Sequence, residues 1–323
     1  MPVISPRAIA VFALIGACIC WGVSFPVMKG LAQIQQTIAP DASWFISSWA
    51  LTLRFLFSAI IVAWWCRYIM RDITRAEWSQ ALGLGVFTAS GMLFQMDGLS
   101  YTNASTSAFI TQGYCIFLPL TVAIMTRRFP AFHVILSAIM VMAGVAILAQ
   151  LDFYDLHLGR GELETLIASL IFTAQILWVD RPAYARNNMG RVSAVAFTTT
   201  GLLLLPVVFL TMPSLAHLAS VYASAPAIGC ILMLIFICTL CGMLLMFFFQ
   251  RRVGAVPAGI IYSSEPVFAC LFAFFIPGLL SAWSGIAYAN EELTRSLIVG
   301  GSLVLAANLV VQLKPPTQTS LPQ

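Results

Sequence analysis

Residues 20–29 read CWGVSFPVMK and close an almost unbroken apolar run that starts near Ala8. A helix in water avoids Gly and Pro in its interior, because each weakens the backbone hydrogen-bond ladder. In lipid both are tolerated, since neighbouring helices re-satisfy the freed backbone groups. Pro26 cannot donate to the Gly22 carbonyl four residues earlier, and Gly22 lets a second helix approach closely. The stretch therefore reads as a bent membrane-crossing helix. It presents polar edges of Trp21 and Ser24 at mid-membrane, and Lys29 anchors its outer end.

The rest of the chain agrees with that solvent. Of its 323 residues 60% are hydrophobic and 9% charged, and the mean hydropathy is +0.94. A soluble domain carries about 25% charged residues, so this chain cannot cover a water-facing surface. Basic residues are scattered in ones to threes, which argues against a nucleic-acid partner. The N-terminal run is too long and lacks a small-x-small cleavage site before Lys29, so it is expected to be retained rather than removed as a signal peptide. The eight cysteines lie in or beside apolar segments, where Cys acts as a small hydrophobe. Cys238 and Cys241 form CTLC, but without flanking His or Asp or a second pair. His133, His157 and His217 do not cluster. No metal and no cofactor are expected.

A spanning helix needs about 20 mostly apolar residues. That window finds about ten segments, near 8–28, 44–66, 78–100, 103–125, 132–150, 161–180, 192–212, 226–249, 254–276 and 296–313. With the N-terminus inside, the inner connections collect Arg7, Arg67, Arg71, Arg75, Arg127, Arg128, Arg181, Arg186, Arg191, Arg251, Arg252 and Lys314. The outer ones collect only Lys29, Arg160 and Arg295, and Arg54 lies within a helix. The asymmetry predicts a multi-pass protein of the inner (plasma) membrane with both termini cytoplasmic. The expected fold is all-α.

Residues 105–119, STSAFITQGYCIFLP, resemble residues 252–266, RVGAVPAGIIYSSEP, with Pro119 aligned on Pro266 and Ala108 on Ala255. Five helices per half would insert the second half upside down, giving two inverted-topology repeats, 8–150 and 161–313. Residues 314–323 form a short cytoplasmic tail.

In order along the chain, CWGVSFPVMK, LTLRFLFSA, FQMDGLSYTNASTSAFIT, AQILWVDRPAYAR and QRRVGAVPAGIIYSSEPVFACLFAFF resemble the drug/metabolite transporter superfamily, EamA type. The resemblance implies about ten helices in two inverted five-helix halves around a central substrate cavity, and transport, often export, of metabolites, amino acids or drugs. Family members often carry GE after the ninth helix. This chain has a longer loop there, IPGLLSAWSGIAYANEEL, in which Glu291 or Glu292 stands in for that acid.

Arg54 sits about ten residues into its helix, near the bilayer midplane, where a charge costs about 2.5–3.5 kcal/mol by insertion scales. It is expected to face the interior with a partner, as a substrate contact or as a structural clamp. Glu265 precedes Pro266, which leaves the Tyr262 carbonyl without its usual donor. Tyr262 shares a helix face with Glu265, and Ser263 adds a hydroxyl. A carboxyl there can load and release a proton, or serve in a permanent pair. Trp21, Gln112, Tyr114, Gln175 and Trp178 complete the candidate substrate contacts, with Thr111 weighed beside them. Coupling or gating is assigned to Glu265, to Asp97 near the outer end of the third segment, and to the helix prolines Pro26, Pro119 and Pro266. Asp97 reads as a solvated or capping carboxylate at a mouth, and Asp180 as an interfacial charge.

These residues predict a secondary transporter of a small neutral, zwitterionic or cationic solute by alternating access, and the resemblance implies that it is an exporter. Coupling to protons is an option, and the chain is expected as a monomer or homodimer. No Walker-type phosphate loop is present. The alternatives are an integral-membrane enzyme acting on a lipid-linked substrate, for which no Ser–His or di-carboxylate constellation is visible, and a channel or receptor. The expectation is that the chain is not an enzyme.

Overall fold

The computed structural model describes residues 6–68, 70–125, 127, 129, 132–148, 159–179, 181–253, 258 and 261–313. These form helices α1 (Pro6–Gln36), α2 (Ser43–Trp65), α3 (Arg75–Leu99), α4 (Ala104–Thr111), α5 (Tyr114–Met125), α6 (Phe132–Leu148), α7 (Arg160–Val179) and α8 (Met189–Thr211). After the short α9 (His217–Ser220) come α10 (Ala225–Met233), a π-helical stretch Leu234–Met243 and α11 (Leu244–Val253), which run on as one rod. The chain ends in α12 (Glu265–Ala273), α13 (Ile276–Ser284) and α14 (Arg295–Leu313). No strand occurs among the described residues.

Among the described residues six rods are both long and apolar enough to cross a membrane: α1, α2, α4 with α5, α7, α8, and α10 through α11. The pair α12–α13 becomes a seventh if its 43° bend is one broken span. Helix α3 is 25 residues long but carries Gln80, Gln95 and Asp97 among several glycines. The apolar helices α6 and α14 are shorter.

The predicted segment 103–125 is broken at 112–113 into α4 and α5, and two further features depart from the sequence expectation. Helix α1 does not stop near residue 28 but runs to Gln36, 31 residues or about 46 Å. Lys29 is therefore not at its end. Its Nζ reaches sideways to the Thr102 carbonyl at 2.7 Å, between α3 and α4. The predicted segment 254–276 is not one helix with Pro266 inside. A turn at Ser263–Ser264 breaks it, and Pro266 falls in the first turn of α12, where a missing N–H leaves no gap in the ladder. The Tyr262 carbonyl thus faces a helix start rather than a helix interior. Beyond Ala273 the chain bends into α13, closed by Gly285 in the left-handed conformation (φ 74°) with its N–H on the Ser281 carbonyl at 2.8 Å.

Helix α1 is the central rod. It packs on α10, the π stretch and α11 on one side, and on α12 on the other. A Cβ on Gly22 would stand 2.7 Å from the Phe268 Cβ and 2.9 Å from the Ala269 nitrogen, so the close approach expected of that glycine is to the α12 backbone. A second apolar cluster joins α4, α5, α6 and α14 through Phe109, Ile116, Val145 and Val304.

Polar contacts gather at two opposite ends. At one, Glu77 in the first turn of α3 closes a capping box with Thr74 and accepts from the Asn188 amide and the Arg191 guanidinium. Burial pushes this carboxyl up, but the Thr74 and Asn188 amides and Arg191 outweigh it and hold it below its ordinary value. Arg251 donates to the Val179 carbonyl at the same end, at 3.2 Å. At the other end lie Lys29, Tyr101, Thr102, Arg160 and Glu291. Asp180, His157, Arg128, residues 151–158, 254–257 and 259–260, and the tail 314–323 lie outside the described residues, as does the side chain of Pro119 within α5.

Candidate functional site

A cavity opens between α1, α3, α7, α11 and the start of α12, with about 790 Å³ of empty space including its open side. Four helices each contribute a stripe at helical spacing. Trp21, Ser24 and Phe25 come from α1, and Thr88, Met92 and Gln95 from α3. Phe172, Gln175, Ile176 and Val179 come from α7, and Met243, Met246 and Gln250 from the rod that ends in α11. Spacings of three, four and seven residues keep each set on one helix face.

Arg54, Thr111, Tyr114, Tyr262 and Glu265 complete the wall. Six of the nine substrate-contact candidates thus meet in one space: Trp21, Arg54, Tyr114, Gln175, Tyr262 and Glu265. Three do not line it. Gln112 stands behind Glu265, Ser263 lies in the turn before α12, and Trp178 turns away to donate from Nε1 to the Gln80 carbonyl at 3.1 Å. The stripe residues Thr88, Met92, Phe172, Met243, Met246 and Gln250 escaped the sequence reading. Their spacing carried the signal, but apolar stripes are ordinary in a helix bundle.

Arg54 is 2% exposed, and its expected partner is not a carboxylate. Nε donates to Thr239 Oγ1 on the π-helical stretch, Nη1 lies 3.5 Å from Met28 Sδ, and the guanidinium stands 5.6 Å from the Phe55 ring centroid. Glu265 is 6% exposed and begins α12, where the helix dipole favours a carboxylate. Its Oε2 accepts from Gln112 Nε2 at 3.1 Å. No ion pair joins Arg54 to Glu265 among the described residues.

Neutral groups surround these charges. Tyr262 donates to Gln250 Oε1 at 3.0 Å, and its ring lies 5.6 Å from that of Trp21. Gln95 donates to Thr111 Oγ1 at 3.1 Å. Gln175 Oε1 is buried with no hydrogen-bond donor among the described residues, which leaves an acceptor at the wall. Such an unfilled acceptor favours a ligand or water that can donate to it.

Asp97 is not solvated, as the sequence suggested, but fully buried. It pairs with Arg160, which also holds Glu164 at 2.8 Å and stacks 4.3 Å from the Tyr101 ring. Glu291 caps α4 by accepting from the Ala104 amide at 2.7 Å and from the Ser105 amide and hydroxyl. Pro26 lies inside α1, and its carbonyl accepts from the Tyr288 hydroxyl at 3.3 Å. Asp97, Pro26 and Pro266 are therefore beside the cavity rather than in its wall.

Comparison with known proteins agrees with this architecture. Residues 8–150 match the EamA-like transporter family. An uncharacterised transporter of Archaeoglobus fulgidus is 23% identical over 310 residues, covering 95% of this chain and 87% of that protein. A protein of known crystal structure superposes with a TM-score of 0.55 at 14% identity, over 92% of this chain and 96% of that one, a likeness of fold alone. Residues 8–150 are thus similar to the EamA-like transporter family, and the relative named as a transporter aligns over nearly the whole chain.

Proposed function

We propose that the chain is a secondary transporter that moves a small neutral, zwitterionic or cationic solute, as an exporter, by alternating access. The observation that carries this reading is that Arg54 and Glu265 line one cavity without pairing with each other. A zwitterion suits that arrangement best, with its carboxylate on the guanidinium, its ammonium on the carboxylate and its apolar body on Trp21 and Tyr262. The unfilled acceptor Gln175 Oε1 supports a donor-bearing solute.

The remaining features fit a carrier. By charge asymmetry the Arg-rich end faces the cytoplasm, and the belt of Lys29, Asp97, Arg160 and Glu291 closes the outer end. Residues 8–150 and 161–313 serve as two inverted halves. In support, each half interrupts a helix beside the cavity, at 112–113 and at 263–264. Glu265 loads and releases the coupling proton.

Proteoliposomes holding the purified chain and an imposed proton gradient test the reading against a panel of labelled amino acids, amines and neutral sugars. Saturable, gradient-dependent flux of one class supports it. Absence of flux for every class, together with turnover of a lipid-linked substrate, sinks it.

A further inference from the structure

A second opening lies apart from the central cavity. It runs between the end of α2, the start of α3 and the first half of α8, with about 880 Å³ of empty space including its open side. Its lining is apolar apart from Thr198 and Thr199. Trp78, Leu82, Leu202 and Leu203 in that lining are each about half exposed, so the groove faces outward from the bundle. From Ala194 to Leu203 it follows ten residues of α8, nine steps or about 14 Å of helix. That is the length of an extended segment of fatty-acyl chain, not of a compact polar solute.

The groove begins at the Arg-rich end, and three exposed arginines lie within four residues of its lining in the chain. Arg67 follows groove-lining Ala63 by four residues. Arg71 directly follows groove-lining Met70. Arg75 precedes groove-lining Trp78 by three residues on α3, and so shares its face. All three are exposed. Arg67 stacks over Trp64 and Tyr68, at 5.1 and 4.5 Å from their ring centroids, and both rings are themselves exposed. Such aromatic and basic side chains belong at headgroup level. Two carboxylates share the region. Glu77 is committed to Arg191, and exposed Asp72 leaves the three arginines with a positive balance.

We propose that this groove is a binding site for an anionic glycerophospholipid. One acyl chain lies along Ala194–Leu203, and the phosphate is held by Arg67, Arg71 and Arg75. A basic mouth on an apolar slot complements that molecule at both ends, whereas a zwitterionic lipid gains only the apolar half. A second copy of this chain would have to bring an acidic, apolar ridge, and the charge at the mouth disfavours two copies meeting there.

The test uses the full chain in non-ionic detergent micelles, with dioleoyl phosphatidylglycerol or dioleoyl phosphatidylcholine added. Bound lipid is read by native mass spectrometry and stability by thermal unfolding. Phosphatidylglycerol is expected to remain bound and to raise Tm by about 3 °C or more over phosphatidylcholine. The variant R67Q/R71Q/R75Q loses that preference while keeping its lipid-free Tm, and R181Q/R186Q, at the same end, retains it. Ala63→Phe narrows the groove and weakens retention with the arginines intact. If that variant does not fold, the arginine variants decide alone. Equal retention of the two lipids, or an unchanged preference in the triple variant, overturns the proposal. So does a lipid-independent dimer that Ala63→Phe disrupts.

Discussion

Gln112 Nε2 donates to Glu265 Oε2 at 3.1 Å, joining two positions 153 residues apart. Each stands at an interruption. Gln112 follows α4 where the chain turns into α5, and Glu265 follows the Ser263–Ser264 turn into α12. A broken helix exposes backbone groups that only a protein-lined cavity can accommodate in a membrane. The side-chain amide therefore ties the two breaks together at the edge of the space that a solute would occupy.

Glu265→Gln keeps an acceptor for the Gln112 amide but removes the titratable group. The expected result is a folded protein whose flux is at least about tenfold lower or no longer responds to a proton gradient. Flux measured against pH in proteoliposomes decides it. Full transport with the wild-type pH profile removes the proton role.

Arg54 separates stability from function. It is a buried charge with a hydroxyl, a thioether and a ring for company, and an unpaired buried charge opposes folding. Arg54→Met is expected to leave Tm unchanged or to raise it, while flux falls by at least about tenfold. Arg54→Lys keeps the charge but not the planar fork, and is expected to transport poorly. A lower Tm in Arg54→Met, combined with normal flux in Arg54→Lys, makes the residue a structural clamp instead.

How much of this was readable in sequence differs by element. The six long rods follow from charge-poor runs, because the bilayer admits few other patterns. The end of α1 was misread because Lys29 resembles an interface anchor, and only its partner across space, the Thr102 carbonyl, explains it within a helix. The break before α12 hid in Ser263–Ser264, since serines are acceptable inside membrane helices and Pro266 suggested a kink rather than a start. Trp178 was a cavity candidate in sequence and Gln95 was not. Rotation of α7 and α3 sends Trp178 to the Gln80 carbonyl and Gln95 to the wall. The arginine pairing of Asp97 was invisible because Arg160 lies 63 residues away.

Glu77 predicts an acid-sensitive end. Its carboxyl is held below its ordinary value of 4.5, so the folded state binds the proton less readily than the unfolded one. The stabilisation is complete above about that value and is lost as pH falls through the lower, folded-state value. Thermal unfolding of the detergent-solubilised protein should show Tm dropping as pH goes from about 5 to below 4. Glu77→Gln should lower Tm at neutral pH and flatten this acid limb. Thr74→Ala, which removes the reciprocal cap, should cost about 1 kcal/mol without flattening it. An acid limb that survives in Glu77→Gln assigns the sensitivity elsewhere.

The belt opposite the Arg-rich end predicts a gate. Arg160 ties Asp97 on α3 to Glu164 on α7, and Glu291 ties the segment before α14 to the start of α4. Both ties cross between elements that line or flank the cavity, so any opening at this end must break them. Asp97→Asn keeps the shape but removes the charge, and leaves Arg160 with Glu164 as its carboxylate partner beside the Tyr101 hydroxyl. It is expected to raise the population open at this end. The measurement is labelling by a membrane-impermeant maleimide of a single cysteine at Gln95 or Thr111, both in the cavity wall, in a chain otherwise free of cysteine. Labelling from the belt side should accelerate several-fold in Asp97→Asn, and from the Arg-rich side it should slow. Equal rates in the variant and its parent from both sides would mean that the belt is static scaffolding, and that exchange between the two faces, if it occurs, pivots elsewhere.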